Sequence, residues 1–457
     1  MLDRSIASAV RLYRDENVPL LTRDTELSAD YDKITGAMTV SIDGKELTLE
    51  EAAALLREPD RQRRQDAWEK IYNRWHQDHD RLDELYDEMV QLRDRIAKNA
   101  GFSNFRDYTF EAMERFDYTP RDCEKLHQAV EEVVVPLARE LVEARKKALG
   151  VDKVRPWDMH VDPENRPALK PYNGAKELVA KVIEAMRRID PEFADYAQEM
   201  ADREDLDLSS RPGKSGGGYM ETFDEVRRPF IFMNEVGTHD DAMTLAHELG
   251  HSFHALLARN DPIVEYRHAP LEFSEVASMG SEQFMLSVLD VFYSEEDKKR
   301  AVADSFEDII LFLPYCMQVD AFQHWVYLNP EASSAERDNE WHKLGERFGT
   351  GVDWSGYEQL EESGWHYKLH IFTMPFYYFE YAVAQLGALQ LRENFKNDPD
   401  KTIAEYRRGL SLGGSRPLPE LFEAAGIKFD FSEDMLRHLI DGLRKELINL
   451  GRLPADR

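Results

Sequence analysis

A chain of 457 residues is long enough for several lobes and a large core. Its 42% hydrophobic and 32% charged content is that of a soluble globular protein, with no apolar run approaching the roughly 18 residues that a membrane-spanning helix needs. A formal net charge of -30 speaks against a nucleic-acid partner, since polyphosphate would be repelled; it assigns no substrate preference by itself. Cys123 and Cys316 stand far apart and outside any paired motif, so no disulfide framework is expected. The first residues run at once into Arg and acids without an apolar signal core, which predicts a cytoplasmic protein.

Helical apolar spacing dominates from the start. It predicts helices over 49–57, 61–101, 120–149, 174–188 and 193–203, each with dense charge on the outer face. A short strand is expected at 37–42, ending in an Asp43-Gly44 turn. Loops are expected around 153–157 and 211–213. A hairpin follows, with strands at 219–223 and 229–233 and turn residues between them.

The next helix carries chemistry. Thr238 reads as its N-cap, with Asp240 and Asp241 in the first turn, apolar residues at helical spacing over 242–257, and a stop at Asn260-Asp261-Pro262. Within it lies His247-Glu248-Leu249-Gly250-His251. Residues four apart share a helical face, so His247 and His251 can present ring nitrogens to one metal ion. Two imidazoles and a carboxylate suit Zn2+. Three protein ligands leave a fourth position for water, which marks a catalytic rather than a closed structural site. Glu248, beside the first ligand, is placed to act as general base toward that water.

A second helix, opened by Pro270, runs to about residue 290. Glu272, Glu275 and Glu282 lie on roughly one of its faces, and each is a candidate third ligand. His254 is a further candidate, because it shares a face with His247. An arrangement with a third histidine further along the helix would need Gly at 254 and His at 257; the chain has His254 and Leu257, which excludes it. Beyond these, helices are expected over 298–325, 334–348, 375–395, 401–410 and 432–449.

The glycine-rich stretch 215–218 is not a phosphate loop, since Lys214 precedes the glycines and no Gly-Lys-Ser follows. Glycines there let the backbone approach a substrate closely, and a neighbouring edge strand can pair with an extended peptide. Gly216, Gly217, Gly218 and Tyr219 are therefore candidate substrate-binding residues.

Several blocks together carry a family resemblance. These are Gly-Gly-Gly-Tyr-Met from Gly216, Pro-Phe-Ile-Phe-Met-Asn from Pro229, Thr-Leu-Ala-His-Glu-Leu-Gly-His-Ser-Phe-His from Thr244, and Glu-Val-Ala-Ser from Glu275. A distant block adds His370-Ile371-Phe372 and then Pro375 to Ala382, with Tyr377, Tyr378 and Tyr381 inside it. The set resembles oligoendopeptidase F, the bacterial branch of the thimet oligopeptidase (M3) metallopeptidases, over roughly residues 50–450. The resemblance implies a mainly α, two-lobed helical zincin with a deep substrate cleft and a small β-hairpin next to the metal helix. It picks out Glu275 as the third ligand and one Zn2+ per chain. It also implies that His370, Tyr378 and Tyr381 donate hydrogen bonds to the oxyanion formed when a peptide carbonyl is attacked; Tyr377 points elsewhere on a helix.

The expected domains are an N-terminal helical region at 1–115, short beside family members, and a catalytic region at 116–457. The shortened start puts cleft depth and peptide-length limit in question. The expected activity is zinc-dependent hydrolysis of internal bonds in short unstructured peptides, with zinc-bound water as nucleophile and Glu248 as general base. The rival readings are a zinc carboxypeptidase or dipeptidyl carboxypeptidase, and a non-catalytic peptide-binding protein. Peptides are the expected partners, with neither nucleic acid nor membrane; sequence leaves monomer and homodimer equally open.

Overall fold

The computed structural model describes residues 1–211, 214 and 216–455. The expected loop residues Pro212 and Gly213, and Ser215 of the glycine-rich stretch, lie outside the described residues. Among the described residues the chain is mainly helical with two small sheets. The helices include α1 (Pro120–Leu149), α2 (His239–Ala258), α3 (Leu271–Met285), α4 (Glu295–Leu328) and α5 (Tyr378–Asn397). The strands are β1 (Thr39–Ile42), β2 (Lys45–Thr48), β3 (Leu206–Ser209), β4 (Tyr219–Phe223) and β5 (Arg228–Glu235). None of the described helices is long and apolar enough to cross a membrane.

Contacts divide the chain into two compact units that interleave in sequence. The first takes residues 1–3, 169–306 and 380–450; the second takes 4–168, 307–379 and 451–457.

In the first unit, β5 is the middle strand of a three-stranded sheet. It pairs in parallel with β3 and in antiparallel with β4, Tyr219 opposite Phe232 and Phe223 opposite Arg228. Along β5 every second residue, Pro229, Ile231 and Met233, points inward, which is the two-residue period of a half-buried strand. β4 and β5 both pack on α2. Gly237, at φ 92°, makes the turn from β5 into that helix. The Thr238 side chain then accepts from the Asp241 backbone N–H, and the Asp241 carboxylate accepts in return from the N–H groups of Thr238 and Val236 and from the Tyr172 hydroxyl. A cap of this kind is worth about 1 kcal/mol. It also fixes where α2 starts, and so which residues face the sheet.

The second unit holds a cluster of rings. Trp68 stacks on Tyr72 at 4.3 Å and meets Trp157, Trp354 and Tyr357 at angles. Buried Asp158 is held beside it by Arg61 and Arg64 at 2.7 and 3.0 Å.

Several expected helices differ in extent, among them three where the cause is visible. Residues 61–101 form two helices, Arg61–His76 and His79–Asn99. Asp78, at φ -100° and ψ 10°, breaks the run, and its carboxylate pairs with the Arg74 side chain at 2.5 Å. The helix expected over 271–290 changes at Leu286 to a tighter 3-10 turn containing Val288 in a non-helical conformation. α5 begins at Tyr378 rather than Pro375, because Phe376 has φ 69°. That conformation is held from both sides: Gln323 accepts from the Phe376 N–H at 2.7 Å, and Arg115 donates to its carbonyl at 2.6 Å. Two helices near the start, Leu2–Leu12 and Val18–Gly36, lie outside the expected set.

Candidate active site

α2 and α3 pack side by side in the first unit and bring the expected metal group together. The His247 and His251 Nε2 atoms stand 3.3 and 3.6 Å from the same Glu275 oxygen, Oε2. Ligands about 2.1 Å from a metal at tetrahedral angles are separated by about 3.4 Å, so both histidine–carboxylate separations have the spacing of zinc donors. Each donor residue has a hydrogen-bond partner. His247 Nδ1 lies 2.6 Å from Glu282 Oε1, which leaves Nε2 as the atom aimed inward. His251 Nδ1 lies 3.2 Å from the Ser274 hydroxyl, and Ser278 donates to Glu275 Oε2 at 2.9 Å.

Burial works against charge on His247, yet its hydrogen bonds to Glu275 and Glu282 lift its pKa well above the usual histidine value. Burial takes His251 the other way, down to about 4. Glu248 is buried, and its Oε2 has no hydrogen-bond partner. Burial is also the main cause that lifts its carboxyl to about 7; the His247 charge and a backbone hydrogen bond from Met220 on β4 act in the opposite direction. This oxygen belongs to the same helix that carries the two histidines, and buried polar atoms are seldom left without a partner.

Among the other acids considered as ligands, Glu282 sits behind His247, where it orients the imidazole. Its position seven residues beyond Glu275 was legible in the sequence; its role was not. Glu272 is buried but is not part of the converging group. His254 is buried edge-on to Phe273, ring centroids 5.7 Å apart, and burial pushes its pKa down to about 3.

Gly217 and Gly218 lie against β5. Gly217 has φ 84°, and its carbonyl accepts from the Asn234 side chain at 3.0 Å. A methyl group on Gly218 would meet Met233 Cβ at 3.3 Å and Thr244 of α2 at 3.4 Å. Tyr219 is half exposed and stacks on Phe232 at 5.0 Å. β4 is an edge strand, so the stretch leads into a backbone ladder open on one side.

Of the expected oxyanion donors, His370 and Tyr378 belong to the second unit, their rings 5.1 Å apart; Tyr377 is at 5.6 Å from His370. Lys368 lies 5.0 Å above the Tyr378 ring. Tyr381, one turn further along α5, is half-buried and falls in the first unit.

The chain matches the family model "Peptidase family M3" over residues 54–440, most of its length. It belongs to peptidase family M3. Within that family it is similar to oligoendopeptidase F from Lactococcus lactis subsp. cremoris, 24% identical over 416 residues covering 89% of this chain and 67% of that protein. It is also similar to oligopeptidase PepF from Bacillus subtilis, 23% identical over 305 residues, 64% of this chain and 44% of that one. The chain thus spans about two thirds of the first relative's length. Among solved structures, PZ peptidase A with an inhibitor superposes with a TM-score of 0.95 at 30% identity, covering 99% of this chain and 80% of that one. The mainly helical M3 fold and the enzyme class, a metalloendopeptidase of the oligoendopeptidase F type, follow from this membership.

Proposed function

We infer that this chain hydrolyses internal bonds of short, unstructured peptides by a zinc-dependent mechanism. The observation that carries the reading is the convergence of His247 Nε2, His251 Nε2 and Glu275 Oε2 next to the buried, unpartnered Glu248 oxygen. Two imidazoles and a carboxylate fit zinc, and those three side chains would hold it. Bound there, zinc would supply Lewis-acid polarisation of the substrate carbonyl and a lowered pKa for water.

The chain's own residues do the rest. Glu248 takes the proton of the attacking water and returns it to the leaving amine, which a carboxyl lifted toward neutrality suits. Glu282 and Ser274 hold the two imidazoles in the orientation that exposes Nε2. The open edge of β4, with Gly216, Gly217, Gly218 and Tyr219 leading into it, takes up an extended peptide by backbone pairing, and this favours unfolded substrates. His370, Tyr378 and Tyr381 donate to the developing oxyanion, a role supported by the resemblance and by the adjacency of His370 and Tyr378. Replacing Tyr381 by Phe lowers kcat more than it changes KM under this reading.

The test is digestion of unmodified peptides of mixed length, read by mass spectrometry with and without chelator. Internal cuts that vanish with chelator and return with zinc are expected. Release of terminal residues alone would instead make the chain a carboxypeptidase or dipeptidyl carboxypeptidase. Zinc binding without any cleavage would leave a peptide-binding protein.

A further inference from the structure

A second group of metal-ligating side chains lies in the other unit. Cys123 and His127 sit four residues apart on α1, and Asp320 and His324 sit four apart on α4, so each helix turns one pair to one face. All four are buried. Ligand atoms of Cys123, Asp320 and His324 lie within 4.8 Å of one another. His127 Nε2 is 2.7 Å from Asp320 Oδ2. Phe110 and Phe376 lie against His324 with centroids 5.9 and 5.3 Å away, and Phe348 lies 6.4 Å from His127; the guanidinium of Arg115 lies 4.6 Å over the Phe110 ring.

The hydrogen-bonding account of this group does not close. Asp320 Oδ1 has no partner, and neither ring nitrogen of His324 has one. His324 Nε2 stands 3.3 Å from Asp320 Oδ2 without the alignment of a hydrogen bond. Buried polar atoms are seldom left this way, because each forfeits its water without replacement. Asp320 Oδ1 and whichever His324 nitrogen carries no proton, next to a buried thiol, call for a further partner that accepts lone pairs.

We propose that Cys123, Asp320 and His324 form a second zinc site, separate from the group on α2 and α3, with His127 positioning the Asp320 carboxylate. His127 takes Oδ2 and leaves Oδ1 for the ion, an arrangement in which a histidine fixes a ligating carboxylate from behind. A thiolate and an imidazole select zinc over magnesium or calcium, which take oxygen ligands. As the sulfur–zinc bond forms, the Cys123 thiol gives up its proton to solvent. The charges of ion and ligands then balance: one thiolate, one carboxylate and a dication, with neutral imidazoles, sum to zero where burial disfavours net charge. The site clips α1 to α4 inside the second unit, and it would stabilise the fold without touching substrate.

Cobalt(II) is the probe that separates the two groups, because only this one contains sulfur. The full-length chain is stripped with chelator, checked for retained helical circular dichroism, and titrated with cobalt. The expected result is a thiolate-to-cobalt charge-transfer absorption in the near ultraviolet that saturates at one ion per chain. It persists in Cys316→Ser and in His247→Ala/His251→Ala, and disappears in Cys123→Ser. In His127→Ala the absorption remains but cobalt binds about 10- to 100-fold more weakly. Wild-type protein that takes up cobalt without a thiolate band overturns the proposal, and that reading needs no variant to fold. So does a total metal content of one per chain that falls to zero in His247→Ala/His251→Ala. Neither readout depends on peptidase activity.

Discussion

Gly250 and Ala277 are in backbone contact: a methyl group on Gly250 would stand 2.6 Å from the Ala277 carbonyl oxygen and 2.6 Å from Ser278 Cα. Gly250 lies next to His251 on α2, and Ala277 two residues beyond Glu275 on α3. The closeness of these helices therefore sets the distance between the two imidazoles and the carboxylate. The Tyr406 hydroxyl donates to the same Ala277 carbonyl at 2.6 Å, which pins that stretch of α3. Gly250→Ala must push the helices apart, since the obstacle is backbone rather than a side chain that can turn away. The expected cost is about 1–3 kcal/mol of stability, together with weaker metal binding. Thermal unfolding and zinc content measured on the same preparation check it; unchanged zinc affinity would show that the helix spacing does not set the ligand geometry.

Glu282 is the second position where a ligand's support is separable from the ligand. Its Oε1 lies 2.6 Å from His247 Nδ1, so it selects the tautomer that leaves Nε2 free to bind. Glu282→Ala should weaken zinc binding by about 10- to 100-fold, as loss of a partner behind a ligating histidine does. Glu275→Ala removes a donor and should lower zinc content outright. Competition with a chromophoric chelator distinguishes the two. Equal losses in both variants would move Glu282 into the ligand set.

Glu248→Gln keeps the shape of the side chain and removes its capacity to take a proton. Zinc content should stay near wild type, because Glu248 lies outside the converging donor set. Turnover should fall by about 10²- to 10⁴-fold, the range for loss of a general base. Near-normal kcat with zinc bound would refute the base assignment.

How much of this was legible beforehand follows from range. The α2 pattern, cap, spaced histidines and stop, is local, and the structure has a helix over His239–Ala258 with Thr238 as its cap. Helices Pro120–Leu149 and Ser334–Phe348 likewise begin and end where the apolar period does. The choice among Glu272, Glu275 and Glu282 was not local: three acids on one face of α3 look alike until the packing against α2 decides which meets both histidines. The backbone contact at Gly250 has no sequence signal beyond the glycine itself. The late start of α5 depends on Gln323 and Arg115, more than fifty residues from Phe376 and so invisible to any period. The group at Cys123 and Asp320 was hidden for the same reason. Its two i,i+4 pairs lie nearly two hundred residues apart, and each alone is an ordinary buried pair.

His79 in the second unit gives the stability of the chain an alkaline limit. Its Nε2 pairs with Asp338 at 3.6 Å, and its Nδ1 faces Asp80 at 3.1 Å and Asp83 at 3.6 Å. Pairing with Asp338 is the largest cause lifting its pKa to about 9; burial opposes it, and Asp83 and Asp80 add to it. The folded value exceeds the unfolded one, about 6.5. The stabilisation is therefore fully present below about pH 6.5 and is lost as pH rises through about 9. The loss is at most about 3 kcal/mol before screening by water. Neighbouring His366, which meets Asp83 at 2.9 Å, is shifted downward by burial and so acts at the acid side instead. Urea unfolding at pH 6 and pH 9.5 should show a larger drop in wild type than in His79→Gln. Equal drops would mean that the His79 charge contributes nothing to the folded state across that window.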